Sequence, residues 1–170
     1  MDFTPNAVKC VYWMVTCMAR SKRLGLLTER QVKVLKLRAR GLSLREVAFS
    51  LNVSHQDIAV VEKRALRNLE LARQTIIAYK LATSPVKVLL SEGTRHVDIP
   101  ALVIEEADRA GVKIKADISL LLKLIWRRAR SCIESRRVKK PIMVLVDREG
   151  EVEVYPYQDI QHLHQEIEKL

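Results

Sequence analysis

Between Leu27 and Tyr79 apolar residues recur at gaps of three and four in three successive runs, each punctuated by a start and a stop signal. In the first, LTERQVKVLKLRARG, Thr28 stands at an N-cap position, Arg30 and Gln31 fall in the first turn, and Val32, Leu35 and Ala39 repeat at helical spacing. Gly41 predicts the end of that helix, because it reaches a left-handed conformation without a Cβ penalty. In the second run Ser43 and Glu46 have capping-box spacing, and Leu44, Val47, Ala48 and Leu51 form one stripe. Asn52 and Val53 predict a tight turn, and Ser54 caps a third helix along which Ile58, Val61, Ala65, Leu69, Ala72, Ile76 and Tyr79 recur. Three amphipathic helices with a tight second turn have the geometry of a DNA-binding helix-turn-helix. The third run extends well past groove-reading turns, since about twenty-five residues at about 1.5 Å each make about 37 Å of helix.

Thr83-Ser84-Pro85 breaks this helix, and the pattern then changes period. Val86–Leu90 predicts a strand, and Asp98, Pro100 and Gly111 bracket a helix. Val112, Ile114 and Ala116 alternate with Lys113 and Lys115, which predicts a second strand. Asp117 caps a helix burying Ile118, Leu121, Leu122, Ile125, Ala129, Cys132 and Ile133 along one side. Ile142–Val146 and Val152–Tyr155 flank Asp147-Arg148-Glu149-Gly150 as a hairpin. The fold class expected is α+β: an N-terminal three-helix helix-turn-helix domain followed by a small α+β domain, its helices packed on one face of a three- or four-stranded sheet. The expected boundaries are an extension over 1–24, the helix-turn-helix over 25–83, the α+β domain over 84–157 and a tail over 158–170 carrying a marginal helix.

Residues 1–24 fit neither domain. Val11–Ala19 is apolar but too short to span a bilayer, and Asp2 with a single Lys9 before it is not a secretory leader. The segment is either an extra packed element or the product of a start assigned too early, with Met18 lying just before a short basic arm of Arg20, Lys22 and Arg23.

Charge sharpens the reading of the helices. From Arg20 to Lys80 there are fourteen Lys and Arg against five Asp and Glu, so +9 of the chain's net +10 falls there, the footprint expected of phosphate binding. Aromatic residues make up 5% of the chain, so single strands stacked on exposed rings are not advertised. Cys10, Cys17 and Cys132 are scattered, without a CxxC pair, and read as small apolar fillers in a reducing, cytoplasmic location.

On the third helix His55, Gln56, Asp57, Ala59, Val60 and Lys63 occupy the first two turns away from the apolar stripe and are the candidate base-reading residues. Gln pairs with adenine, Lys reaches guanine, Ala and Val touch a thymine methyl, and Asp57 either caps the helix or accepts from cytosine. Arg45, Ser54, Arg64 and Arg67 are the candidate phosphate contacts, which fix register without reading sequence. A second anion patch is suggested by Arg127, Arg128, Arg130, Arg136, Arg137, Lys139 and Lys140, seven basic residues in fourteen against Glu134 alone. It is a second phosphate contact, an anionic effector site, or a solvated helix face running into a loop. His162 and His164 lack a third ligand nearby, and Asp147, Glu149, Glu151 and Glu153 read as charges guarding a hairpin edge. The sequence holds no GxSxG, HExxH or phosphate-binding glycine loop. No catalytic set, metal site or cofactor is expected.

The segments LTERQVKVLKLR, LSLREVAFSLNVS and IAVVEKRALRNL resemble the helix-turn-helix of LuxR-type regulators and of sigma factor region 4. The chain is most similar to the Tfx family of archaeal DNA-binding regulators, which shares that opening, the EKRA segment, an EEADRAG-like helix (Glu105–Gly111) and an RRVKKPI-like strand entry (Arg136–Ile142). The likeness covers most of Leu26 to Tyr155. In the related families the positions matching His55, Gln56, Ala59 and Val60 often carry larger polar side chains, so the small apolar Ala59 and Val60 alter the expected base preference. The resemblance implies an archaeal, sequence-specific transcriptional regulator that binds double-stranded DNA, is not an enzyme and does not enter membranes. A homodimer would place two reading helices on successive half-sites, with the hairpin's edge strand pairing across the two-fold axis; a monomer could instead use the Arg127–Lys140 patch. The alternatives are an RNA-binding or ribosome-associated protein and a docking module of the transcription machinery.

Overall fold

The computed structural model describes residues 23–170, so the reading of the N-terminal extension lies outside the described residues. The chain divides into two compact units at Arg73/Gln74. The first opens with a two-stranded ribbon, β1 (Arg23–Leu24) against β2 (Leu27–Thr28). Helix α1 (Glu29–Ala39) follows, then α2 (Leu44–Leu51) and α3 (His55–Thr83), which continues into the second unit. The expected punctuation is present. Thr28 and Gln31 form a capping box at α1, Ser43 and Glu46 form another at α2, and Gly41 takes φ +88° just past α1. Asn52 adopts the left-handed conformation (φ 51°) in the turn, and the Ser54 hydroxyl accepts the Asp57 amide at 3.1 Å.

The core of this unit is small. Val34, Val47, Ala48 and Ile58 are buried, with Leu37, Leu42, Leu44, Leu51, Val53 and Val61 packed around them. The α1 face is rotated from the Val32–Leu35–Ala39 stripe expected: Gln31 and Val34 are buried and Ala39 is exposed. The run VKVLKL is apolar on two adjacent stripes, and longer-range pairing decides between them. Arg38 bonds Glu62 through Nε at 2.8 Å and donates from Nη1 to the Leu42 carbonyl at 2.6 Å, which turns its side of the helix toward α3. The α3 stripe also ends sooner than its periodicity suggests. Ile58 and Ala65 are buried, but Leu69, Ile76 and Tyr79 are 44%, 56% and 66% exposed.

The second unit is built on a three-stranded antiparallel sheet in the order β3 (Val86–Leu90), β6 (Ile142–Val146), β7 (Val152–Pro156). On one face Val86, Val88, Leu90, Ile142, Val144, Val146 and Val154 meet helices α4 (Ile99–Arg109) and α5 (Ile118–Arg128) through residues such as Val103, Leu121 and Ile125. On the other face Met143 and Leu145 meet Ile77 and Leu81 of α3 and Ile160 of α6 (Tyr157–Ile167). Helices therefore cover both faces, not the single face expected. The cause is legible in β6, whose sequence IMVLV has no polar position and is buried throughout. The C-terminal helix, expected to be marginal, is anchored by Ile160, which is 1% exposed.

Three further differences have local causes. The strand expected at Val112–Ala116 is irregular backbone; Val112 and Ile114 still pack on the core, but they do so as a loop whose Lys115 amide donates to the Gly150 carbonyl at 3.0 Å. Asp98 does not cap α4, because its carboxylate is taken by Arg95 in a two-pronged pair at 2.7 and 2.9 Å. The helix begun at Asp117, which does cap the Leu120 amide at 2.7 Å, stops at Arg128 and not at Ile133. After a 3-10 turn over Arg130–Cys132, strands β4 (Ile133–Glu134) and β5 (Arg137–Val138) form a ribbon turning on Ser135 and Arg136, both at positive φ.

Candidate nucleic-acid interface

The first turns of α3 carry the candidate reading residues. At about 100° per residue, His55, Gln56, Ala59, Val60, Lys63, Arg64 and Arg67 share an arc of about 180°. Ile58, Val61 and Ala65 lie on the opposite side of the helix and hold it to the core. His55, Gln56, Lys63, Arg64 and Arg67 are exposed, Val60 is 47% exposed and Ala59 is half-buried. The helix thus offers a largely exposed face on which polar and basic side chains alternate with the apolar Ala59 and Val60.

Two candidates are already engaged at the helix start. Ser54 accepts the Asp57 amide and donates its hydroxyl to the Asp57 carboxylate at 2.7 Å. The Asp57 carboxylate is therefore engaged by the same hydroxyl that caps its amide. Ser54 keeps its exposed position but shares its hydroxyl with that cap. Arg45 lies exposed in the first turn of α2, on a different element from the other basic candidates. Glu46 beside it is held below the usual carboxylate range by the Ser43 amide and then by the Ser43 hydroxyl.

Residues not singled out by pattern position this face. Glu62, half-buried on α3, receives Arg38 of α1, and Asn68 donates to the Leu26 carbonyl at 3.0 Å, tying the β1–β2 ribbon to α3. Phe49 on α2 is 91% exposed, an apolar ring on the surface of the helix-turn-helix. The spacing of Arg38 and Glu62, twenty-four residues apart, gives no local signal by which sequence reading could pair them.

The second patch is spread over several elements. Arg127 and Arg128 end α5, Arg130 lies in the 3-10 turn, and Arg136, Arg137, Lys139 and Lys140 follow in and beyond the β4–β5 ribbon. Lys139 is paired with Glu134 and Arg137 donates to the Gly93 carbonyl at 2.9 Å. Lys140 reaches Gln158 at 3.4 Å. The two histidines of the tail lie on a helix two residues apart, so they do not share a face, and His164 meets the Tyr157 hydroxyl at 3.3 Å.

Comparison with known proteins now bears on this geometry. A family model described as the C-terminal part of the DNA-binding protein Tfx matches residues 72–154. A Methanocaldococcus jannaschii protein named as a candidate transcriptional regulator is 38% identical over 130 residues, 76% of this chain and 95% of its own. The DNA-binding protein Tfx of Methanothermobacter marburgensis is 34% identical over 126 residues, 74% and 91% of the two chains. The chain belongs to the Tfx family. The same protein of Methanothermobacter thermautotrophicus matches to the same extent. The family match begins on α3 and ends in β7, so the Tfx C-terminal part takes in the sheet and the helices α4 and α5. Among the described residues no helix of this Tfx chain is long and apolar enough to cross a membrane.

Proposed function

We propose that this protein is a sequence-specific transcriptional regulator that binds double-stranded DNA through its helix-turn-helix. The observation that carries the reading is the exposed arc on α3, where Gln56 and Lys63 lie between Arg64, Arg67 and the helix start, opposite the buried Ile58 and Ala65. An α-helix of that kind fits the major groove, whose base edges suit Gln and Lys side chains. In this reading His55, Gln56, Ala59, Val60 and Lys63 face bases, while Arg45, Arg64 and Arg67 hold phosphates. The names of the relatives support regulation and DNA binding. The protein acts in the cytoplasm as a binding protein and not as an enzyme.

A finer part of the proposal is that two copies act together. A single reading helix contacts few base pairs, and dimers set two of them on half-sites about 34–36 Å apart. Support comes from the exposed apolar side chains of Leu66, Leu69, Ile76 and Tyr79 on α3 and from β7, an outer strand of its sheet.

Competition binding tests the central reading. The full chain should prefer duplex DNA over single strands and over RNA of the same sequence, and Lys63→Ala should flatten its ranking of duplexes. A preference for RNA that survives Lys63→Ala would overturn it. Sedimentation with a target duplex addresses the dimer: two chains per duplex are expected, and one at saturation would exclude it.

A further inference from the structure

The second unit gathers its positive charge in one segment. Residues 127–140 hold seven Lys and Arg against Glu134, whereas the rest of residues 74–170 holds nine basic and thirteen acidic residues, a net of −4. The fold joins this segment to the loop before α4. Trp126, 42% exposed near the end of α5, has the Arg130 guanidinium over its ring at 6.0 Å from the centroid. The His96 ring meets the same tryptophan edge-on, with centroids 6.0 Å apart. His96 also donates its amide to the Arg136 carbonyl at 2.9 Å, and Arg95 bridges Arg137, so helix end and ribbon tip are held by one loop.

Several of these cations are uncommitted. Arg95 is spent on Asp98 and Lys139 on Glu134. Among the described residues Arg127, Arg128, Arg130 and Arg136 have no carboxylate partner. Helix electrostatics explains Arg127 and Arg128, which end α5 where cations offset the helix dipole. It does not explain Arg130 and Arg136, which lie beyond the helix. Arg136 even occupies a positive-φ position (60°) at the tip of the ribbon, a conformation unfavourable for a long side chain.

The aromatic ring decides what kind of anion suits the patch. An open tryptophan face would invite stacking by an unpaired base, but Arg130 lies over the ring and His96 meets it edge-on. The ring instead restrains a guanidinium whose N–H fork is unpaired, a pre-organised donor for phosphate oxygens. We propose that Arg130 and Arg136, with Trp126 positioning Arg130, form a second contact to the duplex backbone, outside the base pairs that α3 reads. This rests on the DNA-binding reading of α3.

The test uses the full chain, one short duplex limited to the site protected by α3 and one longer duplex extending beyond it. On the longer duplex, Arg130→Gln/Arg136→Gln should lower the slope of log K against log salt by about two, from roughly 0.9 per phosphate contact. On the short duplex its slope should equal that of the wild type, and its ranking of sequences should not change on either. Trp126→Leu should lose about one unit of slope on the longer duplex, and Trp126→Phe should retain it, because only the aromatic variant still holds Arg130. Unchanged melting temperatures establish that the variants fold. An unchanged slope for the double variant on the longer duplex overturns the proposal, as does an equal loss on both duplexes. If the wild type prefers no duplex at all, the α3 reading itself fails, and that outcome is recognised before any variant is made.

Discussion

The two units order basic side chains by opposite means. In the first, each helix start is fixed by residues three apart: Thr28 with Gln31, Ser43 with Glu46, and Ser54 with Asp57. A small core around Val34, Val47, Ala48 and Ile58 packs against the buried side of α3. In the second, strands pair across long separations, Val86 with Val146 and Lys87 with Leu145, and apolar clusters fill both faces of the sheet. Arg130 and Arg136 owe their positions to that scaffold, through the helix end, the ribbon and the His96 loop. Local chemistry sets out one exposed arc carrying Lys63, Arg64 and Arg67, whereas non-local packing assembles a patch from pieces of chain that no spacing rule connects.

The sharpest test of this difference is Gly150→Ala, with the largest expected effect. Gly150 has φ +80°, and a Cβ there would lie 2.1 Å from the Lys113 carbonyl oxygen, so a backbone segment would have to move. Left-handed strain adds about 1–2 kcal/mol to that clash. The total should exceed about 4 kcal/mol, in the range reserved for identifiable structural faults. Hydrogen exchange checks it: amides of β6 and β7 should lose protection while those of α1 and α2 keep theirs. A change below about 1 kcal/mol would mean that the Lys113–Lys115 loop yields easily, and the rigidity ascribed to the second unit would fall.

Gln56→Ala tests the first unit at its surface. It should cost about 1–3 kcal/mol of discrimination at one base position while leaving folding unchanged. An equal loss on preferred and random duplexes would move Gln56 from the bases to the backbone.

The same contrast explains what was legible in the sequence. The helix limits of the first unit could be read because caps act within one turn, and Thr28, Gly41, Ser43, Asn52 and Ser54 all stand where expected. Its buried face could not be read fully, since Val32, Val34, Leu35 and Leu37 offer two stripes, and the packing of Val34 with Val47 and Ile58 and the Arg38–Glu62 pair both lie beyond local sequence. The strand Val86–Leu90 and the hairpin turn ending at Gly150 were legible from alternation and turn residues. The Val112–Ala116 loop was not, because alternation records which residues pack inward and not whether the backbone finds a ladder partner. The ribbon at Ser135-Arg136 lacks the Asn-Gly or Asp-Gly signal of a two-residue turn, and Ile133 reads as the last buried position of the preceding helix. The candidate reading residues could be placed on one exposed arc because that needed only helix periodicity, whereas the tie from Trp126 to His96 spans thirty residues and carries no sequence signal.

A smaller effect compares two residues that look alike in sequence. Ser43→Ala removes a cap and should cost about 1 kcal/mol. Asp98→Ala should cost less than about 0.5 kcal/mol, because Asp98 spends its carboxylate on an exposed pair with Arg95 and caps nothing. Denaturant midpoints of the two variants decide the matter, and equal losses would mean that Asp98 supports α4 by a route other than capping.

The smallest effect is a pH dependence confined to the first unit. Glu46 accepts the Ser43 amide at 2.6 Å, and that bond, followed by the Ser43 hydroxyl, holds its carboxyl below the usual range. A carboxylate whose pKa is lower folded than unfolded stabilises the fold above its unfolded value, about 4.3, and loses that contribution as pH falls through the folded value. Glu46→Gln keeps the side-chain length and one carbonyl acceptor but removes the charge and its interaction with the helix start. The variant should therefore be slightly less stable than the wild type at neutral pH, and the two should converge once acid has protonated Glu46. Because the carboxylate is exposed, added salt should narrow the difference at neutral pH as well. Thermal melts at several pH values measure both trends. A difference that is constant with pH would show that Glu46 acts through packing or helix propensity, and the capping box of α2 would then rest on Ser43 alone.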